Sequence, residues 1–126
     1  MRRWQSYGLA FVIFLGVADP AFAMSASFRW CGASPEFELR GVPSGTARLD
    51  LRMTDLMVPS FHHGGGVVAY SGQSTIPCGA LGAGFVGPSP PKPQVHTYRF
   101  TIKALDAAGK VIGETTAERR SDIIHS

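Results

Sequence analysis

No apolar run in this 126-residue sequence is long enough to span a bilayer as a stable helix. The longest, from Leu9 to Val17, is also followed by no second run. A transmembrane anchor is therefore not expected. Charge is scarce, at 17% of residues against 44% hydrophobic, which excludes a disordered polyelectrolyte. Basic residues form no patch: beyond Arg2-Arg3 at the start, only Arg119-Arg120 stands as a pair, so nothing points to nucleic acid. Repeats are lacking, and so is any stretch that combines helical period with length and caps. The length allows one domain and excludes a multidomain enzyme or a coiled coil.

What is present begins with a processing signal. Arg2 and Arg3, the Leu9–Val17 run and the small-x-small string Ala21-Phe22-Ala23 read as a signal peptide over residues 1–23. Its removal from 126 residues leaves 103, numbered 24–126, as a single domain. Arg2, Arg3 and Asp19 go with it, so the formal net charge falls from +3 to +2. An exported, periplasmic or secreted protein is expected. In such a compartment Cys31 and Cys78 suit one disulfide, closing a loop of roughly 48 residues worth about 3–4 kcal/mol. Two separate buried thiols are the alternative.

Glycine and proline set the layout. Residues 24–126 hold 13 Gly and 8 Pro once Gly8, Gly16 and Pro20 are set aside, too many breakers for a helical fold. Ala47, Leu49, Leu51 and Met53 alternate with Arg48, Asp50, Arg52 and Thr54. Tyr98, Phe100, Ile102 and Ala104 alternate with Thr97, Arg99, Thr101 and Lys103 in the same period of two. Each pattern predicts a strand with one face buried and one wet. Weaker strand signals cover Ser27–Trp30, Phe37–Arg40, Val67–Tyr70 and Lys110–Thr115, with turns at Gly41–Gly45 and Asp106–Gly109. Thr116–Ile124 has the makings of a short C-terminal helix. The sum is an all-β antiparallel sandwich or barrel.

Two segments break the strand pattern: Pro59–Gly66 and the proline-rich stretch from Gly84 to His96. Stiff, shaped loops on a β scaffold are where binding residues gather. They carry His62, His63 and His96, with Asp55 just before the first and Tyr98 just after the second. Imidazole N–H donors and close glycine backbone suit an anion, with an acidic partner fixing the histidine tautomer. Two other readings stand beside it. The histidines can simply satisfy loop carbonyls, or two of them with Asp55 can hold a divalent ion, although adjacent His62 and His63 face opposite ways in extended chain. The string His63-Gly64-Gly65-Gly66 is like an esterase oxyanion-hole string, but no G-x-S-x-G elbow accompanies it. No catalytic residues, metal or cofactor are assigned from these residues.

In order and spacing the motifs resemble the phosphatidylethanolamine-binding protein family, in its bacterial Raf-kinase-inhibitor-like branch, from about Ser34 to Asp106. Ser34-Pro35 with Gly41-Val42-Pro43-Ser44-Gly45-Thr46 is similar to the family's "SP…GVPxGT". Leu51–Asp55 matches the strand that runs into its acidic pocket residue, and Phe61-His62-His63 its aromatic-x-His segment. Gly87–Pro91, His96–Phe100 and Ala104–Asp106 match "GPxPP…HxYxFxxxALD". The resemblance implies a β-sandwich whose small pocket binds phosphate or a phospholipid head group such as phosphoethanolamine. Carried over, Asp55, His63, Pro90, Pro91, His96 and Tyr98 are its pocket residues and Phe61 a wall, with His62 turned away. Where the family has Asp-Pro-Asp-Ala-Pro, this chain has Asp55-Leu56-Met57-Val58-Pro59, one acid fewer. Gly64 replaces the aromatic that commonly follows the histidine, and Gly65 and Gly66 extend the change, opening the pocket or bringing backbone nearer a ligand. A protein-interaction or inhibitor module and an acid–base or metal-dependent phosphoesterase are the competing functions.

Overall fold

Alternating side chains build two antiparallel sheets in a computed structural model, which describes residues 23–123. The signal peptide assigned to residues 1–23 lies almost wholly outside the described residues. The strands are β1 (Ser25–Arg29), β2 (Glu36–Arg40), β3 (Thr46–Asp55), β4 (Gly65–Ala69), β5 (Thr75–Ile76), β6 (Thr97–Asp106) and β7 (Val111–Arg120). One sheet has the order β1-β2-β5 and the other β4-β3-β6-β7. Among the described residues no helix is long and apolar enough to cross a membrane.

The two strong alternations pair with each other. In the β3–β6 ladder Leu49 faces Ala104, Leu51 faces Ile102 and Met53 faces Phe100. All six are buried, so one apolar face closes on the other sheet while Arg52 and Lys103 stay in solvent. Phe28 and Phe37 of the three-stranded sheet meet Phe100 edge-on, with ring centroids 5.0 and 4.8 Å apart. Residues of both sheets thus share one core in a sandwich-like arrangement.

The disulfide joins Cys31 to Cys78, with Cα atoms 5.8 Å apart, and ties the β1–β2 loop to the turn after β5. Beside it, Ser34 Oγ accepts from Leu81 N and Ser34 O from Gly79 N. The Asp106–Gly109 turn closes as the residues suggest: Asp106 Oδ1 accepts from the N–H groups of Ala108 and Lys110.

One expectation is corrected. The described part of Thr116–Ile124 is not an α-helix: β7 continues to Arg120, and Ser121–Ile123 form a single 3₁₀ turn. Pairing explains this. Thr116 and Ala117 sit opposite Thr101 and Phe100 of β6, and Ala117 is buried against the core. The ladder satisfies backbone that a short exposed helix would leave marginal. The weaker strands shift by one to a few residues at their ends. The two-residue β5 is too short to show any alternation.

Candidate functional site

The period of two carries past the ends of the apolar stripes. Asp55 is in phase with Leu49, Leu51 and Met53, and it pairs in register with Tyr98. Tyr98 is in phase with Phe100 and Ile102, and His96 stands one further step out along the same chain. A carboxylate, a phenol and an imidazole therefore sit at the buried end of a ladder that is otherwise apolar.

Each is held in place. His96 Nδ1–H donates to Asp55 Oδ2 at 2.5 Å, which fixes that tautomeric position. Asp55 Oδ1 accepts from Met57 N at 2.9 Å and Val58 N at 3.3 Å, so the same carboxylate shapes the turn that follows β3. Ser121 clamps the His96 backbone: His96 N donates to Ser121 Oγ and Ser121 N to His96 O. The other ring nitrogen of His96, Nε2, lies 2.7 Å from Gln94 Oε1.

His63 comes from the opposite loop. It is buried, and its Nδ1 hydrogen-bonds Val86 O at 2.7 Å, while Val86 N donates back to His63 O at 2.8 Å. Because a carbonyl only accepts, this ring carries its proton on Nδ1. Phe61 covers it, with ring centroids 4.5 Å apart, and Tyr98 meets it at 90° and 5.4 Å. His62 is exposed.

Together these groups enclose a cavity of about 240 Å³. Asp55, Phe61, His63, Pro90, Pro91, His96 and Tyr98 all line it, joined by Val58, Val86, Gly87 and Ser89. The long loop from the second proline-rich segment forms one wall and the turn after β3 the other. Sequence reasoning missed Gln94 and Ser121, which touch His96, and Val86, whose carbonyl sets His63. No pattern in the chain marks a backbone carbonyl or a single polar residue as a second partner. Val86 and Gln94 do at least belong to the proline-rich loop already singled out.

Burial pushes the Asp55 carboxyl up, but the His96 hydrogen bond, the Met57 N–H, the charge on His96 and the Val58 N–H outweigh it. The net pKa lies below the usual 3.8. Burial and the adjacent Asp55 charge drive Tyr98 the other way, up to about 12, against a partial offset from the Ser89 backbone N–H. The phenol is therefore neutral across physiological pH. Among the described residues neither lysine nor arginine lines the cavity.

The glycine run has a different role from the one its place beside the histidine suggests. A Cβ on Gly65 would fall 1.7 Å from Leu51 O, and one on Gly64 would fall 2.2 Å from Gly84 O. Neither residue lines the cavity. The run lets β4 close onto β3 and lets the two loops bridge at Gly64 and Phe85. The run is engaged in strand and loop packing, and Gly87 is the glycine in the cavity wall. An oxyanion-hole role has no support in this packing. Among the described residues no three of His, Cys, Asp and Glu gather closely enough to hold a metal, and no cysteine is free. Compared with known proteins, the sequence matches no family model and no curated protein.

Proposed function

We propose that the protein binds a small anion in this cavity without turning it over: phosphate, or a phosphorylated head group such as phosphoethanolamine. The observation that carries the reading is convergence. Seven residues spread over two loops and two strands line one cavity of about 240 Å³, a size suited to a small ligand. They are the residues that the resemblance to the phosphatidylethanolamine-binding protein family nominates from motif order. We assign the chain to that type on the same grounds.

The donors are the His63 ring, the Tyr98 hydroxyl and the backbone at Gly87. With Nδ1 given to Val86, His63 offers Nε2 to a ligand. In the imidazolium form that nitrogen is a charged donor to an anion. Val58, Phe61 and Val86 are exposed where they line the cavity, which suits a ligand with an apolar part beyond its anionic end. Against turnover, the Asp55 carboxylate is engaged by the His96 ring and by two backbone N–H groups. A general base needs a free lone pair within reach of substrate. We place the protein outside the cytoplasm, on the export signal.

One observation favours a second reading, a protein-interaction module. Leu56, Met57, Val58 and Phe61 expose apolar surface on one turn. A thermal-shift titration separates the two. Phosphate, phosphoethanolamine and zinc are added separately to wild type, His63→Ala and Phe61→Ser in phosphate-free buffer. A ligand at 100 times its Kd adds about 2.7 kcal/mol, a shift of several degrees. We expect phosphate compounds to stabilise wild type and His63→Ala to lose the effect. No shift with any phosphate compound overturns the anion reading. A protein partner captured by wild type and His63→Ala but lost in Phe61→Ser would put the interaction module in its place.

A further inference from the structure

The two nitrogens of the His96 ring have partners of different kinds. Nδ1 is bound to Asp55, a buried carboxylate itself fixed by two backbone N–H groups. Nε2 faces Oε1 of Gln94 at 2.7 Å, and Gln94 is an exposed residue on the proline-rich loop, two positions from His96. Its backbone N–H donates to Pro91 O at 2.7 Å, so the turn that carries Gln94 also carries the Pro90–Pro91 wall of the cavity. The Asp55 contact is buried on both sides, with side-chain exposures of 4% for His96 and 6% for Asp55. The Gln94 amide is free to move, since a solvent-facing side chain changes rotamer on the picosecond-to-nanosecond scale. With Nδ1–H given to Asp55, a bond from Nε2 to an amide oxygen requires the doubly protonated ring, whose Nε2–H finds in that oxygen the same kind of acceptor as a phosphate or carboxylate oxygen, without the charge.

We propose that Gln94 is an internal competitor for the ligand: its amide holds Nε2 of His96 until an anion displaces it. The proposal rests on the anion-binding reading of this cavity. It makes Gln94 a specificity-determining residue that acts through His96. A charged oxygen forms a stronger bond to the imidazole than the amide does and displaces it. A neutral hydroxyl or carbonyl does not, and is left with only the His63 side of the cavity. His96 thus joins the site when the ligand is anionic, while Asp55 keeps the ring in the one orientation that allows the exchange.

The test combines calorimetry with nitrogen NMR of the imidazole rings, on wild type, Gln94→Ala and Gln94→Glu. Inorganic phosphate is the probe. Removing the competitor should tighten phosphate binding by about tenfold, the worth of one displaced hydrogen bond. Gln94→Glu, which sets a carboxylate against Nε2, should weaken it by a similar factor. Without phosphate, Gln94→Ala should shift the Nε2 resonance of His96 and leave Nδ1 near its wild-type position. Saturating phosphate should bring the Nε2 resonances of wild type and Gln94→Ala together. If Gln94→Ala binds phosphate no better than wild type, or its Nε2 resonance stays in place, the competitor proposal falls while the pocket reading stands. If none of the three binds phosphate, the anion reading falls and takes this proposal with it.

Discussion

His96 donates its Nδ1–H to Asp55 across 41 positions of sequence, and both groups are buried at the end of the β3–β6 ladder. The bond holds the ring that lines the cavity and the turn that carries Phe61, because the same carboxylate caps Met57 and Val58. Removing one partner of a buried pair costs about 3–5 kcal/mol. Asp55→Ala should show a loss of that order by urea denaturation at pH 7.

The acid side of the same pair gives a signed pH dependence. Asp55 is held below its ordinary pKa in the folded protein, so on acidification the unfolded chain takes up the proton first. Its contribution is complete above about pH 3.9 and is lost as pH falls through the folded value. Asp55→Asn lacks this loss. The stability gap between wild type and Asp55→Asn should therefore narrow steadily below pH 4. A gap that stays constant there would mean that Asp55 is not held low.

Tyr98 supplies the alkaline counterpart. Its folded pKa is raised to about 12, chiefly by burial and then by Asp55. An unfolded tyrosine ionises near pH 10, so the stabilisation is full below that value and is lost between about pH 10 and pH 12. Ultraviolet titration at the phenolate band should show one tyrosine ionising about two units late. Asp55→Asn should move that step down, but not to the ordinary value, since burial remains.

Much of this site was legible because strands are periodic. Once Leu49–Met53 and Tyr98–Ala104 are read as strands with one buried face, Asp55 and Tyr98 fall on that face by counting. The motif order then adds His63 and the proline pair. The roles were harder to read than the places. Nothing in the sequence shows that His96 spends both ring nitrogens within the protein: Asp55 comes from 41 positions away, and no motif marks Gln94, two positions before it, as the second partner. The C-terminal stretch misled for a related reason: Thr116–Arg120 carries no strong alternation, and its strand state comes from pairing with β6. Tertiary pairing overrides weak local propensity.

Of the adjacent histidines, one matters to the site. His63 is buried, bound to Val86 O and covered by Phe61, whereas His62 is exposed. His63→Ala leaves a carbonyl without its donor and a gap under Phe61, at a cost of about 1–3 kcal/mol. His62→Ala should stay within about 0.5 kcal/mol of wild type, as surface changes do. Chemical denaturation of the two variants side by side checks the assignment. Equal losses would mean that the register of this loop is shifted by one residue.

Gly65 lies at the start of β4, opposite Arg52 of β3. A Cβ there would sit 1.7 Å from Leu51 O, 2.7 Å from Leu51 C and 2.9 Å from Arg52 Cα, all of them backbone atoms in the central strand of a ladder. No side-chain rotation relieves such a contact, so Gly65→Ala must push β4 away from β3. Displacing β4 also moves Gly64, whose carbonyl accepts from Met53 N at 2.9 Å, and through it the His63–Val86 contact. Gly65→Ala should therefore cost on the order of 3 kcal/mol or more and weaken phosphate binding, although the residue does not line the cavity. Denaturation and calorimetry on this one variant distinguish packing from ligand contact. Retained stability with lost binding would mean that the glycine run meets the ligand directly; loss of both is what the strand packing requires.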